Sequence, residues 1–208
     1  MMHGGKTMVV PLAKPCLDEA EFAAALEPLK DGWLVQGPKV QDFEQKFATY
    51  IDAPWAVASS SCTAALHLAL TVLGIEEGDE VIVPAFTWVA TANVVLYRNA
   101  KPVFADIELS TFNVSTVRIQ ENITPRTKAI IPVHLFGLSA DMDPILEVAR
   151  QHNLLVIEDA ACGLGARYNE KHVGTLGDSG CFSFHPRKSI TTGEGGMFVT
   201  KNEEHAKR

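Results

Sequence analysis

Nowhere in the 208 residues does an apolar run approach the ~18 consecutive residues of a membrane-spanning helix. The opening MMHGGKTMVVPLAKPCLDEAE also lacks a charged stretch followed by an apolar one, so a secretory leader is not expected either, and the chain reads as cytoplasmic. Positive charge is short: 18 Lys plus Arg stand against 25 Asp plus Glu, a net charge of -7. That balance disfavours the basic footprint needed for nucleic acid or an anionic membrane and points to small molecules or protein as partners. Cysteine is sparse as well. Cys16, Cys62, Cys162 and Cys181 are widely spaced, with no CxxC and no His pair at zinc-ligand spacing, which speaks against a disulfide framework or a zinc site and leaves four buried, reduced thiols as the expectation. No repeat, low-complexity tract or linker divides the chain.

What the sequence does contain is a 47% hydrophobic composition, enough for a globular core. Short β-rich runs alternate with segments of helical period, the pattern of an α/β layer architecture. Strands are expected at residues 55–58, 80–83, 102–104, 129–133, 154–157, 181–184 and 197–200. Most are separated by enough chain for a crossover helix, so the expected fold is three-layered: a mostly parallel sheet covered by helices on both faces. Residues 59–61 offer N-caps for a helix over 64–73, with Gly74 as its C-terminal stop. Asp143 before Pro144 marks a second helix start, running through Arg150. Ligands of such sheets bind at the carboxyl ends of the strands, so the residues that follow each strand are the candidates for chemistry.

After the first strand, SSSCTAALHLAL leads small hydroxyl residues into a helix. Ser61, Cys62 and Thr63 there suit either a phosphate cradle at a helix N-terminus or ordinary capping. After the fifth, LLVIEDAACGLGA sets Glu158 and Asp159 at the strand end, as cleft carboxylates or as turn residues. Its glycines do not make a dinucleotide fingerprint, because the third glycine is missing and the acid precedes them instead of following by about 20 residues. After the sixth, CFSFHPRKSITTGEGGM carries Ser183 and Lys188. With no GxxxxGK[ST], Lys188 is not a P-loop anchor; in a cleft, its amine suits Schiff-base chemistry. His185 and Arg187 are its sequence neighbours. An amine, a carboxylate and an anion site together suggest pyridoxal phosphate, which needs one of each. Trp88, in PAFTWVATAN, suits either stacking on the cofactor ring or packing in the core.

These motifs resemble the DegT/DnrJ/EryC1/StrS sugar aminotransferases, fold-type-I pyridoxal phosphate enzymes, over nearly the whole chain. The resemblance runs from PLAKPCLDEAE and GWLVQGPKVQDFEQKFA through GDEVIVPAFTWVATANVVL, KPVFADIE and TPRTKAIIPVHLFG. It is most specific in LLVIEDAACGLGARY and GTLGDSGCFSFHPRKSITTGEGGM. It implies that Lys188 forms the Schiff base and shuttles protons, and that Asp159 holds the pyridine nitrogen protonated. It further implies that Cys62, Thr63 and Ser183 contact the phosphate and that Trp88 stacks on the ring. Cys162 stands where many relatives carry Gln or His beside the ring. A branch of the family with histidine in place of that lysine dehydrates its substrate, and Lys188 argues against that branch. The implied reaction moves an amino group from L-glutamate to a nucleotide-linked keto-deoxysugar, in amino-sugar biosynthesis, and the implied full-length assembly is a homodimer. Family members continue past the lysine loop into a small C-terminal domain, so residues 1–208 are expected to be the large cofactor domain, cut short. A non-catalytic fragment acting as a binding module is the alternative.

Overall fold

The computed structural model describes residues 10–11 and 13–208. Residues 1–9 of the stretch read for a leader, and Leu12 of the family-like opening, lie outside the described residues. Seven strands form one sheet: β1 (Trp55–Ser59), β2 (Glu80–Pro84), β3 (Lys101–Ala105), β4 (Thr127–Ile130), β5 (Leu155–Asp159), then Ser179–Ser183 and Gly196–Thr200. Between β5 and the last two lies a small hairpin, β6 (Arg167–Tyr168) and β7 (Lys171–His172), so the last two are β8 and β9. The sheet order is β1-β9-β8-β5-β4-β2-β3. Pairs β2/β3, β2/β4, β4/β5 and β5/β8 are parallel. β9 runs antiparallel to both its neighbours, so six strands point one way and β9 alone points back. The expectation of a mostly parallel sheet holds. β9 is the exception because a loop without a crossover helix joins it to β8, and only an antiparallel partner can be reached that way.

All seven expected strands form. The one expected at 129–133 ends at Ile130, because Pro132 has no N-H for the ladder. Its carbonyl still accepts from the Asp159 amide at 2.9 Å.

Side-chain alternation sorts the sheet into two faces. Val81, Val83, Ile131, Ile157, Cys181 and Phe198 pack with Leu66 and Leu70 of α3 (Cys62–Val72) and Val94 and Val95 of α4 (Ala90–Leu96). On the opposite face Ile82, Ile130 and Val156 meet Met142, Ile145 and Val148 of α6 (Met142–His152), with Ile119 of α5 (Thr116–Glu121) beside them. Farther along that face, Phe182 and Phe184 stack edge-on against Phe47 of α2 (Pro38–Ile51), with centroids 5.1 and 5.5 Å apart. Each of these large side chains is buried and contributes about 1.5–3 kcal/mol through area removed from water.

The expected helix after SSSCT starts two residues earlier than its apolar run, at Cys62. Ser61 is the cap, accepting from the Ala64 amide at 3.1 Å. α6 begins at Met142, one residue before Asp143, and stops where Asn153 turns left-handed (φ 54°). The remaining α-helices among the described residues are α1 (Glu19–Lys30) and the short α7 (Glu203–Lys207). A capping box between Asp18 and Glu21 starts α1, whose Phe22, Leu26 and Leu29 are exposed.

Candidate functional site

At the carboxyl edge of the sheet a cleft of about 370 Å³ opens, and of the residues singled out from the sequence Ser61, Cys62, Thr63, Trp88, Asp159, Cys162, Ser183 and Lys188 line it, whereas Glu158 does not. The topology brings them together. Ser61 to Thr63 follow β1, Trp88 follows β2, Asp159 ends β5, Ser183 ends β8, and Lys188 lies in the loop to β9. That loop and the start of α3 can meet only because Gly196 has no side chain. A Cβ there would lie 2.3 Å from the Ser61 carbonyl carbon and 2.5 Å from the Cys62 nitrogen, well inside contact distance.

α3 presents its N-terminus to the cleft. Ser61 takes the Ala64 and Ala65 amides through its side chain and carbonyl. The amides of Cys62 and Thr63 precede the first intrahelical bond and find no partner among the described residues, so they are free to receive an anion beside the Ser183 hydroxyl.

Of the two carboxylates ending β5, only Asp159 faces the cleft. Glu158, one residue earlier, projects to the other face and is saturated. Its oxygens accept from the amides of Gly174, Leu176 and Gly177 at 2.7–2.8 Å and face His134 Nε2 at 2.9 Å. His134 Nδ1 accepts from the Ala140 amide at 3.1 Å, so Nε2 carries the ring proton and donates it to Glu158. Glu158 is therefore a brace for the loop over residues 174–177.

Asp159 is buried, at 4% exposure. Oδ2 accepts from Thr91 Oγ1 at 2.8 Å and Oδ1 from the Ala161 amide at 3.1 Å. The Cys62 thiol lies at 4.0 Å from Oδ1. A carboxylate has about four acceptor sites, so room is left for one more donor. Burial pushes this carboxyl above the usual carboxylate range, while the hydrogen bonds from Thr91 and Ala161, and after them His134 and Lys188, pull it back. Burial also pushes the Cys62 thiol well up, as does the neighbouring Asp159 charge; it stays a neutral thiol.

Lys188 Nζ donates to Cys162 Sγ at 3.1 Å. His185, Arg187 and Glu194 share the cleft wall with it, so its sequence neighbours do face the same space. Trp88 is 76% exposed on the rim, which rules out the core-packing alternative. The expectation of four buried thiols is corrected too: Cys16 is exposed and Cys162 half-buried, and only Cys62 and Cys181 are buried. Cys16 precedes α1, a helix with no buried residue of its own, so nothing packs over it. Thr91 and Thr87 were missed by sequence reasoning. Their signal was present in PAFTWVATAN, where both lie within a turn of Trp88, but nothing in one sequence ties them to Asp159.

Pyridoxal phosphate fits this donor set. An amine awaits its aldehyde, a buried carboxylate with spare acceptor capacity awaits its basic ring nitrogen, and a helix N-terminus awaits its phosphate. Among the described residues no group of three or more His, Cys, Asp or Glu side chains is set to hold a metal, and no helix is long and apolar enough to cross a membrane.

Comparison with known proteins places the chain among relatives of one kind. The sequence pattern of the DegT/DnrJ/EryC1/StrS aminotransferase family matches residues 15–208. GDP-perosamine synthase of Caulobacter vibrioides is 50% identical over 198 residues, covering 95% of this chain and 53% of its own. Spore coat polysaccharide biosynthesis protein SpsC of Bacillus subtilis is 48% identical over 197 residues, covering 95% and 51%. Among solved structures, the GDP-4-keto-6-deoxy-D-mannose-3-dehydratase of Escherichia coli with bound hydrated PLP superposes with a TM-score of 0.91 at 31% identity. That match covers 97% of this chain and 53% of the other. The chain thus spans about half the length of the curated relatives it matches.

Proposed function

From the premise that the chain belongs to the DegT/DnrJ/EryC1/StrS aminotransferase family, we propose that it is the cofactor-holding large domain of a pyridoxal phosphate-dependent sugar aminotransferase. The amino group passes from L-glutamate to a nucleotide-linked keto-deoxysugar, in the cytoplasm. The observation that carries this reading is the convergence of Lys188 and Asp159 on one cleft with the free amides at the start of α3.

When bound, pyridoxal phosphate supplies a carbonyl for amines and a ring that holds the electron pair left when a Cα proton departs. The Lys188 amine would hold the cofactor covalently. With the cofactor bound, Nζ, once displaced by an incoming amine, would be the base placed to take the substrate's Cα proton and to return a proton on the far side of the transferred nitrogen. Asp159 keeps a proton on the ring nitrogen, since its carboxylate in a dry site is most stable opposite a cation. The Cys62 and Thr63 amides with Ser183 would hold the phosphate, Trp88 would stack on the ring, and Cys162 orients the Lys188 amine through its sulfur. One amine serving both half-reactions is what a transfer needs, and the lysine at position 188 favours transfer over the dehydration named for the Escherichia coli relative.

The names of GDP-perosamine synthase and of the spore coat polysaccharide protein support the sugar substrate and a role in surface polysaccharide. A homodimer of the full-length protein is supported by apolar surface at the cleft edge. Phe86, Phe112 and Phe136 form an exposed aromatic ladder there, with centroids 5.6 and 6.3 Å apart. Phe112 and Phe136 sit at φ 60° and 56°, a left-handed backbone that bulky residues adopt rarely.

Adding pyridoxal phosphate to the purified chain, reducing with borohydride and mapping the modified peptide tests the reading. The pyridoxyl mass belongs on Lys188, and Lys188→Ala should carry none. A folded chain that retains no cofactor, or one labelled elsewhere, counts against it. Amino transfer from glutamate to keto-sugar nucleotides by this chain and by one extended to the relatives' length separates an enzyme from a binding module.

A further inference from the structure

Asp159 is gripped by an element far from it in sequence. Thr91, on α4 and fully buried, donates from Oγ1 to Asp159 Oδ2 at 2.8 Å. Thr87 Oγ1 lies 3.2 Å from Thr91 Oγ1. A hydroxyl has one hydrogen to give, and Thr91 gives its own to Asp159, so Thr87 must be the donor in the second bond. The two hydroxyls form a directed pair, Thr87 to Thr91 to Asp159, that terminates on an accepting carboxyl oxygen. A carboxyl protonated on Oδ2 would itself donate to Thr91 Oγ1 and reverse the first bond. The Ala161 amide on Oδ1 supplies the second point of hold, and two points define the plane of a carboxylate.

We propose that Thr91, backed by Thr87, is a positioning residue that fixes the plane of the Asp159 carboxylate and holds it ionised for a cationic ring nitrogen. This rests on the cofactor reading above and deepens it. Burial drives the Asp159 carboxyl toward its neutral form, and Thr91 is foremost among the groups that oppose it. The nearby groups His134 and Lys188 pull the same way by less than the Thr91 and Ala161 hydrogen bonds. Cys62 on α3 and Cys181, opposite it on β8, are thiols that burial keeps neutral. His134, after β4, has Nδ1 occupied as an acceptor and its one proton on Glu158. Glu158 points to the other face. Lys188 is the one flexible cation, and its amine is committed to the cofactor when the cofactor is bound. Thr91 and Ala161 are then the close fixed donors on the carboxylate, with the Cys62 thiol farther off at 4.0 Å.

Two variants of the 208-residue chain separate this role from packing: Thr91→Val, which keeps the shape and loses the hydroxyl, and Thr91→Ser, which keeps the hydroxyl. In the cofactor-free chain, infrared difference spectra report the Asp159 carboxyl, assigned by its loss in Asp159→Asn. In Thr91→Val the protonated-carboxyl band should persist to higher pH than in the parent, and in Thr91→Ser it should titrate with the parent. Pyridoxal phosphate affinity measured across pH should fall about tenfold in Thr91→Val at neutral pH, the scale of a lost hydrogen bond to a charged group. Its acid limb should move to higher pH, whereas Thr91→Ser should stay within about twofold. A Thr91→Val chain whose carboxyl titrates with the parent overturns the proposal, even if the protein melts earlier, because a merely structural threonine would do that. If Thr91→Val does not fold, Thr87→Val is the deciding variant: a smaller shift in the same direction supports the relay, and none overturns it. If the parent fails to bind pyridoxal phosphate while Thr91→Val still shifts the carboxyl titration, the cofactor reading falls and the grip on Asp159 stands.

Discussion

Glu80 and Asp159 are buried carboxylates at opposite edges of the same sheet, and their surroundings push them in opposite directions. Glu80 opens β2 at the amino edge and is 1% exposed. It accepts from Thr124 at 2.6 Å, Arg126 at 2.7 Å and Lys101 at 3.2 Å, and hydrogen bonds from Thr124 and Arg126 hold it down to about 2. Asp159 closes β5 at the carboxyl edge, where burial pushes it up. Glu80 has its cations in place and serves only to tie β2, β3 and β4 together. Asp159 is held by neutral donors and has room for a charged one, which is the condition of a site awaiting a ligand. Glu158 shows that burial alone does not make that difference: it is equally buried and fully satisfied within the fold.

The largest expected effect is at the open edge. Lys188→Ala should abolish borohydride-trappable cofactor and lower amino transfer in the extended chain by about a thousandfold or more, as the loss of a covalent catalyst with its proton-transfer role does. Asp159→Asn should come next, weakening pyridoxal phosphate by about a hundredfold in equilibrium titration, the cost of removing one partner of a buried charge pair. The melting free energy of its cofactor-free chain should move by less than about 1 kcal/mol, because the charge it deletes has no resident cation facing it in a fixed bond.

Glu80→Gln should do the reverse, leaving cofactor affinity alone and costing about 2 kcal/mol of stability at pH 7 in chemical denaturation. The folded value near 2 lies below the ordinary 4.5 of a free glutamate. The stabilisation is therefore complete above about pH 5 and drains away as the pH falls toward 2. Parent and variant should converge in acid, and a difference that persists at pH 2 would mean that Glu80 acts through packing. Smallest is Trp88→Ala. It should weaken the cofactor about fivefold through lost stacking, with stability unchanged within about 0.5 kcal/mol because the indole is on the rim. A marked loss of stability there would contradict its exposure.

Much of the fold was legible because its signals are local. Apolar runs such as VIV at 81–83 and LVI at 155–157 have few other ways to be buried, and Ser61 and Gly74 punctuate α3 by their own chemistry. The β6–β7 hairpin escaped because two-residue strands have no periodicity to detect. The reversed direction of β9 depends on how a loop crosses the sheet edge. For the site, residue types and their position after strands made Lys188, Asp159 and the SSSCT turn readable as candidates. Trp88 was ambiguous until its exposure decided it, since an indole suits core and rim alike. Cys16 was misread as buried because a thiol's usual preference for the interior says nothing about what packs over a given stretch.

By itself the sequence determined the layer architecture, the run of seven strands and the family, because patterning and motif spacing are properties of neighbouring residues. Strand alternation puts Glu158 and Asp159 on opposite sides of the sheet, although the sequence reading held both alike as cleft carboxylates or turn residues. Which of those sides held a cleft, that Thr91 would reach Asp159 across 68 positions, and that Gly196 would let α3 close on the lysine loop were decided by tertiary structure. Those contacts join segments whose separation in the chain carries no signal, and whether a buried carboxylate ends as a brace or as an open site depends on which donors the packing brings to it.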